Sequence, residues 1–469
     1  MTRLQETIEV PRAIAEAFRY TADFSNIEQW DPGVRASEKL TPGPVGQGTE
    51  FRVVVSSGFS TTSMNYRITH FDPPQRVVLE GRGGAIHAID DIRFSAGKRG
   101  TRIDYSADIT LSGAAGLVQP LMGGVLERVG RKAMAGLQRA LSEEPKVPGE
   151  SLLRNMADRM LLPGALAFTR FGYDWSKRNW QPLVASLDGR TVVVTGATSG
   201  LGRVAAERLA GLGARVILVG RDSTKLRQAR REIITATGNE RIATERADLG
   251  LLADVKALVR RLLEQEPEIH VLVNNAAVLP GSRSQTSEGL ETAFATDLLS
   301  PFLLTSLLLP RLRASAPARI VNVSSGGMYL SGIDLDDLEN ARGSYDGSRA
   351  YARAKRGLMM LTEYWADSLE GSGVVVNAMH PGWADTPGVQ DSLPGFHRLT
   401  RSVLRSPEQG ADTIVWLAAA PEAGQVSGKF WLDREPHLSA ILPGTAGNRD
   451  LRERLVEELA RRVADHGTL

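Results

Sequence analysis

The chain has 469 residues, 42% apolar and 23% charged, which suits a globular protein of two or three domains and excludes wholesale disorder. No run approaches about 18 uninterrupted apolar residues, so a membrane span is not expected. Zero cysteines exclude a disulfide framework or thiolate metal site, and 56 basic against 54 acidic residues give no electrostatic case for nucleic acid. Met1–Glu6 has no apolar core of the signal-peptide kind, and with the missing cysteines this leads to the expectation of a cytoplasmic protein.

Up to about Ser142 the pattern is of short strands. Arg3–Val10 leads into a helix over Pro11–Tyr20, with proline at its start. Strand candidates follow at 34–40, 49–57, 60–69, 76–81, 85–94 and 102–111, several of them alternating polar and apolar residues. Turn chemistry such as Asp72-Pro73-Pro74 separates them, and Val125–Leu141 closes the segment at helical spacing. Residues 1–145 are therefore read as one domain.

Residues 146–188 read as a connector. Its apolar and aromatic stretch runs from Met160-Leu161-Leu162 through Phe168, Phe171, Tyr173, Trp175 and Trp180. Seven basic residues face four acidic ones over 146–190, an excess too small for firm adhesion to a membrane surface. Packing on the following domain is the favoured reading, with peripheral membrane contact through 160–180 as the alternative.

From 189 to 469, apolar strands alternate with helices. The strand candidates are 191–195, 215–219, 269–274, 319–324, 374–378 and 429–432. Helices are expected over 203–212, 223–237, 252–265, 288–314 (broken near Pro301), 349–369 and 407–420, and the amphipathic stretch in 444–468 reads as a solvated cap. Such alternation predicts a parallel sheet covered on both faces, the doubly wound α/β Rossmann arrangement.

The first strand of this region runs into Thr195-Gly196-Ala197-Thr198-Ser199-Gly200-Leu201-Gly202, directly before a helix. Backbone amides at a helix N-terminus suit a pyrophosphate, and glycines allow close approach. In Tyr351-Ala352-Arg353-Ala354-Lys355 the phenol and ammonium share a helix face. A neighbouring cation favours the phenolate, which would poise Tyr351 as an acid/base. Tyr345 offers a rival frame, but the residue four positions on is Arg349.

The glycine spacing and the order of the motifs resemble the short-chain dehydrogenase/reductase family. That resemblance implies that Asp248 and Leu249 contact adenine, and that Asn274-Asn275-Ala276-Ala277 is the family's Asn-Asn-Ala-Gly element, with Asn274 and Ala276 at the cofactor. It also implies that Pro381-Gly382 and Thr386 hold the nicotinamide end. Ser325, in Asn322-Val323-Ser324-Ser325, would bind the substrate oxygen. Tyr351 and Lys355 would act on the proton and the ribose. The family's usual catalytic asparagine is replaced by Asp297, which either anchors a relay water or pairs with Lys355. A closer resemblance to one subgroup of the family covers about 150–469. Trp383 and 387–405 would form a substrate lid, and pairing through 351–369 implies a homo-oligomer.

The end of the second strand, Val219-Gly220-Arg221-Asp222, lacks a carboxylate at its tip. Arg221 can bind a 2′-phosphate, so NADP(H) is favoured over NAD(H), although a small backbone shift would bring Asp222 to the ribose. The first domain resembles the α+β helix-grip, START-like superfamily of polyketide cyclases and lipid-transfer proteins, with Tyr66, Ile68, Val78, Ile86, Ile92 and Ile103 as candidate cavity liners. His70 and His87 lack a third metal ligand nearby, so no metal is expected.

Together these readings predict an NADP(H)-dependent oxidoreductase that interconverts a carbonyl and a secondary alcohol on an apolar lipid-, steroid- or polyketide-like molecule. One alternative is a catalytically impaired nucleotide sensor or ligand carrier. The other is a bifunctional polyketide cyclase-reductase.

Overall fold

The computed structural model describes residues 2–57, 60–98, 100–112, 114–142, 147–158, 166–178, 180–181, 183–442 and 444–466. It divides into two compact units, Met1–Pro145 with Gln181–Ala185, and Lys146–Trp180 with Ser186–Leu469.

The first unit is a seven-stranded antiparallel sheet. Its strands are β1 (Thr2–Val10), β2 (Val34–Lys39), β3 (Glu50–Ser57), β4 (Ser60–Asp72), β5 (Arg76–Gly83), β6 (Ile86–Gly97) and β7 (Gly100–Leu111), in the order β1-β7-β6-β5-β4-β3-β2. The period-2 pattern puts Phe51, Val53, Ile68, Ile92, Phe94 and Ile103 on the core side with Phe18, Phe24, Leu137 and Leu141. Val77 and Leu79 of β5 are buried there while Val78 is half-buried, so the expected liner is one residue out of phase. Three apolar residues in a row, Val77-Val78-Leu79, leave the phase of β5 open to a sequence reading, and the strand itself alternates without a break. His87 bonds to Glu80 across the β5–β6 pair, Nε2 to Oε1 2.8 Å. The closing helix, Ala114–Ser142, begins well before the expected Val125.

The second unit holds an eight-stranded sheet in the order β10-β9-β8-β11-β12-β13-β14-β15. Strands β8 (Thr191–Thr195), β9 (Arg215–Gly220), β10 (Ile242–Arg246), β11 (Val271–Asn274), β12 (Ala318–Val323), β13 (Val374–Met379) and β14 (Phe430–Leu432) run parallel, and β15 (Glu435–His437) is antiparallel. The order turns back between β8 and β11, the topological switch where such sheets open a ligand crevice at the carboxyl ends of their strands. Val192, Val193 and Val194 of β8 are fully buried, as a strand covered on both faces requires.

Helices Leu252–Gln265, Ser300–Ala314 and Gly347–Ser368 share one core cluster. The C-terminal helix Arg449–Asp465 buries Leu455, Leu459 and Val463 in that cluster and ties Arg452 to Glu363 at 3.2 Å. It is thus a packed element rather than a solvated cap, and it covers part of the helix through which a homo-oligomer is expected to pair.

Candidate active site

Around the switch point lies a cavity of about 1550 Å³ within the second unit, where most of the expected site residues meet. Gly196 and Gly200 adopt left-handed φ values of 65° and 54°. A Cβ on Gly196 would lie 2.9 Å from Ala276 Cα, and one on Gly202 only 2.4 Å from Gly196 O, so the tight cradle admits only glycine there. Ser199 is the N-cap of helix Gly200–Gly211 without a side-chain hydrogen bond to it, and Leu201 lines the cavity. The first-turn amides of a helix have no partner within it, which leaves them for an anion.

Thr195 and Asn274 do not line the cavity. Thr195 Oγ1 accepts from the amides of Asn275 (2.9 Å) and Ala276 (3.0 Å), fixing that loop from behind. Asn274 Nδ2 donates to Thr305 Oγ1 (3.0 Å) and Asn322 Oδ1 (2.8 Å) in the core. The asparagine that lines the cavity is Asn275, with Ala276. Because successive strand residues point to opposite sides, the first member of the pair ends the strand inward and the second turns to the opening.

Asp248 and Leu249 line the wall, and Asp248 Oδ1 accepts from the Gly250 amide at 2.9 Å. Arg221 also lines it. Asp222 caps helix Ser223–Thr237, accepting from the amides of Thr224 (2.8 Å) and Lys225 (3.0 Å). These hydrogen bonds hold its carboxyl below the usual range and keep it engaged at the cap. Pro381, Gly382 and Thr386 line the opposite side, and Thr386 caps the short helix Pro387–Ser392.

Ser325, Tyr351 and Lys355 face the same cavity. Lys355 Nζ lies 5.5 Å from the Tyr351 ring centroid and donates to Val323 O at 3.0 Å. Tyr345 instead donates to Glu291 Oε1 at 2.9 Å.

The electrostatics differ from the sequence expectation. Burial pushes the Tyr351 phenol above its ordinary value, the Asp297 charge pushes it further, and a hydrogen bond with Ser325 opposes both. Lys355 is itself lowered by burial, against the pull of Asp297, and one of its three donors goes to the Val323 carbonyl. Asp297 lies fully buried in the π-helical turn Ala295–Leu299 and is raised by burial, with Lys355 opposing. Its Oδ1 accepts from the Val278 amide at 2.8 Å, while its buried Oδ2 has no hydrogen-bond partner among the described residues.

The aromatic connector contributes two features that the sequence did not foretell. Ala167 and Phe168 line the cavity, as does Asp158. Arg405, 1% exposed at its side chain, donates to the carbonyls of Ala167, Phe168 and Thr169 and pairs with Asp433 at 2.6 Å. Residues 160–165 lie outside the described residues.

Residues 190–395 match the family described as short chain dehydrogenase, and residues 1–142 the one described as polyketide cyclase / dehydrase and lipid transport. The subgroup resemblance is to dehydrogenase/reductase SDR family member 12: the Bos taurus protein is 40% identical over 306 residues, 64% of this chain and 96% of that protein. The chain belongs to the short-chain dehydrogenase/reductase family. Retinol dehydrogenase 13 of Mus musculus is 37% identical over 288 residues, 58% of this chain and 86% of that protein. The solved 3-oxoacyl (acyl-carrier-protein) reductase of Agrobacterium tumefaciens, with NADP bound, is 25% identical at a TM-score of 0.44, covering 55% of this chain and 95% of its own.

The expected cytoplasmic location does not stand. It leaned on the lack of an apolar segment, yet Thr292–Ala314 is long and apolar enough to cross a membrane, with mean hydropathy 1.5, although 78% of its apolar window is buried. Counting uninterrupted apolar runs missed it because isolated polar residues break the run without lowering the average.

Proposed function

We propose that the protein is an NADP(H)-dependent oxidoreductase interconverting a carbonyl and a secondary alcohol on an apolar small molecule. The observation that carries this reading is the meeting of Ser325, Tyr351 and Lys355 in the cavity that also holds the glycine cradle. The turn fits a dinucleotide: its glycines let the chain pack tightly with left-handed φ at Gly196 and Gly200, which leaves the first-turn amides of helix Gly200–Gly211 for a pyrophosphate. A nicotinamide dinucleotide, when bound, supplies or accepts the hydride. Gly196, Ser199, Gly200, Leu201 and Gly202 would hold its phosphates, Asp248 and Leu249 its adenine, and Pro381, Gly382 and Thr386 its nicotinamide end. Ser325 would orient the substrate oxygen and stabilise its developing charge. Tyr351 would give or take the proton at that oxygen, and Lys355 would hold the ribose.

NADP(H) is favoured by Arg221 at the cavity wall together with the engagement of Asp222 at its helix cap. Arg221→Ala is expected to weaken NADPH binding by about 10- to 100-fold, the loss of charge-assisted hydrogen bonds, with a much smaller effect on NADH. Fluorescence titration with each nucleotide checks this, and equal losses for both would refute it.

Single-turnover oxidation of bound NADPH against a panel of apolar ketones tests the activity. Tight NADPH binding with no oxidation by any of them would favour the carrier reading, for which the charge of Asp297 beside Tyr351 is the specific support.

The same reading includes peripheral contact with a lipid surface through the connector. Leu166, Phe171 and Trp175 are 60%, 56% and 68% exposed. Arg170 lies over Phe171 and Arg178 over Trp175, at 5.0 and 5.1 Å, the layout of an interfacial helix. A Phe171→Ser, Trp175→Ser double variant is expected to lose most of its co-sedimentation with anionic phospholipid vesicles. Undiminished sedimentation would remove this part of the proposal.

A further inference from the structure

Three residues of the cavity wall, His380, His437 and Asp158, have no part in the hydride-transfer chemistry. His380 directly follows β13 and is 4% exposed. Its ring meets Phe168 edge-on, with centroids 4.5 Å apart, and Nε2 would lie 2.9 Å from a Cβ placed on Gly326, the neighbour of Ser325. Neither ring nitrogen has a hydrogen-bond partner among the described residues. Buried polar atoms are paired with few exceptions, so an imidazole orphaned at both nitrogens on a cavity wall needs a reason.

His437 shows the contrast. Its Nδ1 lies 2.8 Å from Asp158 Oδ1. A carboxylate can only accept, so Nδ1 carries the hydrogen and, in the neutral ring, Nε2 keeps a free lone pair. The second oxygen of Asp158 accepts from the Leu438 amide at 3.1 Å, which fixes the carboxylate in turn.

We propose that His380, together with His437 held by Asp158, forms a polar subsite in the substrate cavity that binds an uncharged hydroxyl other than the one being oxidised or formed. The proposal rests on the oxidoreductase reading for the word substrate, but its binding test does not.

The chemistry selects the class. Burial, with the positive charge of Arg405 and that of His437 whenever its ring is protonated, pushes His380 down to about 3, so it stays neutral with one donor and one acceptor. An alcohol, itself donor and acceptor, complements that pair. A carboxylate would meet the charge of Asp158, and an ammonium would lie in the field that keeps His380 unprotonated. Phe168, Tyr329, Leu330, Phe430, Ile441 and Leu442 supply the surrounding wall, and the Tyr329 hydroxyl is already given to Leu438 O at 2.6 Å. The ligand is therefore a mainly apolar skeleton with a second hydroxyl.

The test uses two probes, 2-decalol and a decalin diol carrying one further hydroxyl on the second ring. Each is titrated calorimetrically into the full-length protein with NADP+ present, and turnover of each is followed in parallel. Wild type is expected to bind the diol at least about tenfold more tightly, because a site with buried polar groups penalises a ligand that leaves them unpaired. His380→Phe is expected to abolish that preference. Asp158→Asn, an isosteric change that releases His437, is expected to reduce it and gives a reading where His380→Phe does not fold. Equal affinity in wild type, no binding of either probe, or a preference that survives both variants would overturn the subsite. A preference for the diol without turnover of either alcohol would count against the oxidoreductase reading alone.

Discussion

Replacing Tyr351 with phenylalanine is expected to lower kcat for carbonyl reduction by about 10²- to 10⁴-fold, the usual contribution of a positioned acid/base. NADPH affinity should fall by no more than about tenfold, the worth of one hydrogen bond. The buried state of the phenol adds a pH signature. Because burial and Asp297 raise its ionisation above the ordinary range, the phenolate needed for alcohol oxidation becomes more abundant as pH rises, and kcat/KM for oxidation should climb with pH. Asp297→Asn removes the charge that opposes ionisation and should move that rise to lower pH. Wild-type-like turnover by Tyr351→Phe would assign the proton to another group. An oxidation profile that stays in place or moves upward in Asp297→Asn would break the link between the two residues.

That Ser325, Tyr351 and Lys355 meet in one cavity was legible in the sequence because each sits at a fixed place on or beside a regular element. Tyr351 and Lys355 are one helical turn apart, and Ser325 follows the end of β12. The electrostatics were not legible. A Tyr–Lys spacing suggests an ammonium acting on the phenol, yet the burial of both groups and the acceptor that Lys355 finds in Val323 O are set by the packing of separate elements. Asn274 and Asn275 show a finer limit: the motif located the wall, but the direction of each side chain depended on where β11 stops. In the first unit, alternation found every strand but slipped by one residue at Val78, because Val77-Val78-Leu79 is apolar throughout and does not mark which face is inward. The short strands β10 and β15 escaped notice because few of their side chains carry an apolar signal of their own. Packing of the connector aromatics on the following domain was expected, but the cavity wall that Phe168 and Asp158 meet was not, because nothing local to the connector says which surface it meets.

Arg405 decides that placement, and its removal should have the second large effect. The guanidinium is bidentate to Asp433 at 2.6 and 2.8 Å and donates to three connector carbonyls. Its backbone joins Trp383 and Asp385, with Arg405 N to Trp383 O and Asp385 N to Arg405 O both at 2.8 Å. Gly382 is kept free of a side chain because a Cβ there would come within 2.2 Å of Arg405 Nε. One side chain thus couples the connector, the loop after β13 and the turn after β14. Arg405→Met would leave Asp433, already raised by burial, without the cation that opposes that rise, and would strip the Ala167 carbonyl of its Arg405 donor, whereas Phe168 O and Thr169 O keep the amides of Trp383 (2.8 Å) and Tyr173 (3.2 Å). Breaking a buried pair from one side costs about 3–5 kcal/mol, and that loss should appear as faster hydrogen exchange in peptides covering 166–178 and 383–405. Adding Asp433→Asn removes the stranded charge and should restore part of the protection, since asparagine tolerates the left-handed φ of 54° at that position. The carbonyl of Ala167 still lacks its Arg405 donor in the double variant, and those of Phe168 and Thr169 keep only their backbone donors, so recovery should be incomplete. Exchange in Arg405→Met indistinguishable from wild type would mean that the connector is held by its aromatic contacts, Tyr173 on Trp180 and Phe168 on His380 and Trp383, rather than by this guanidinium.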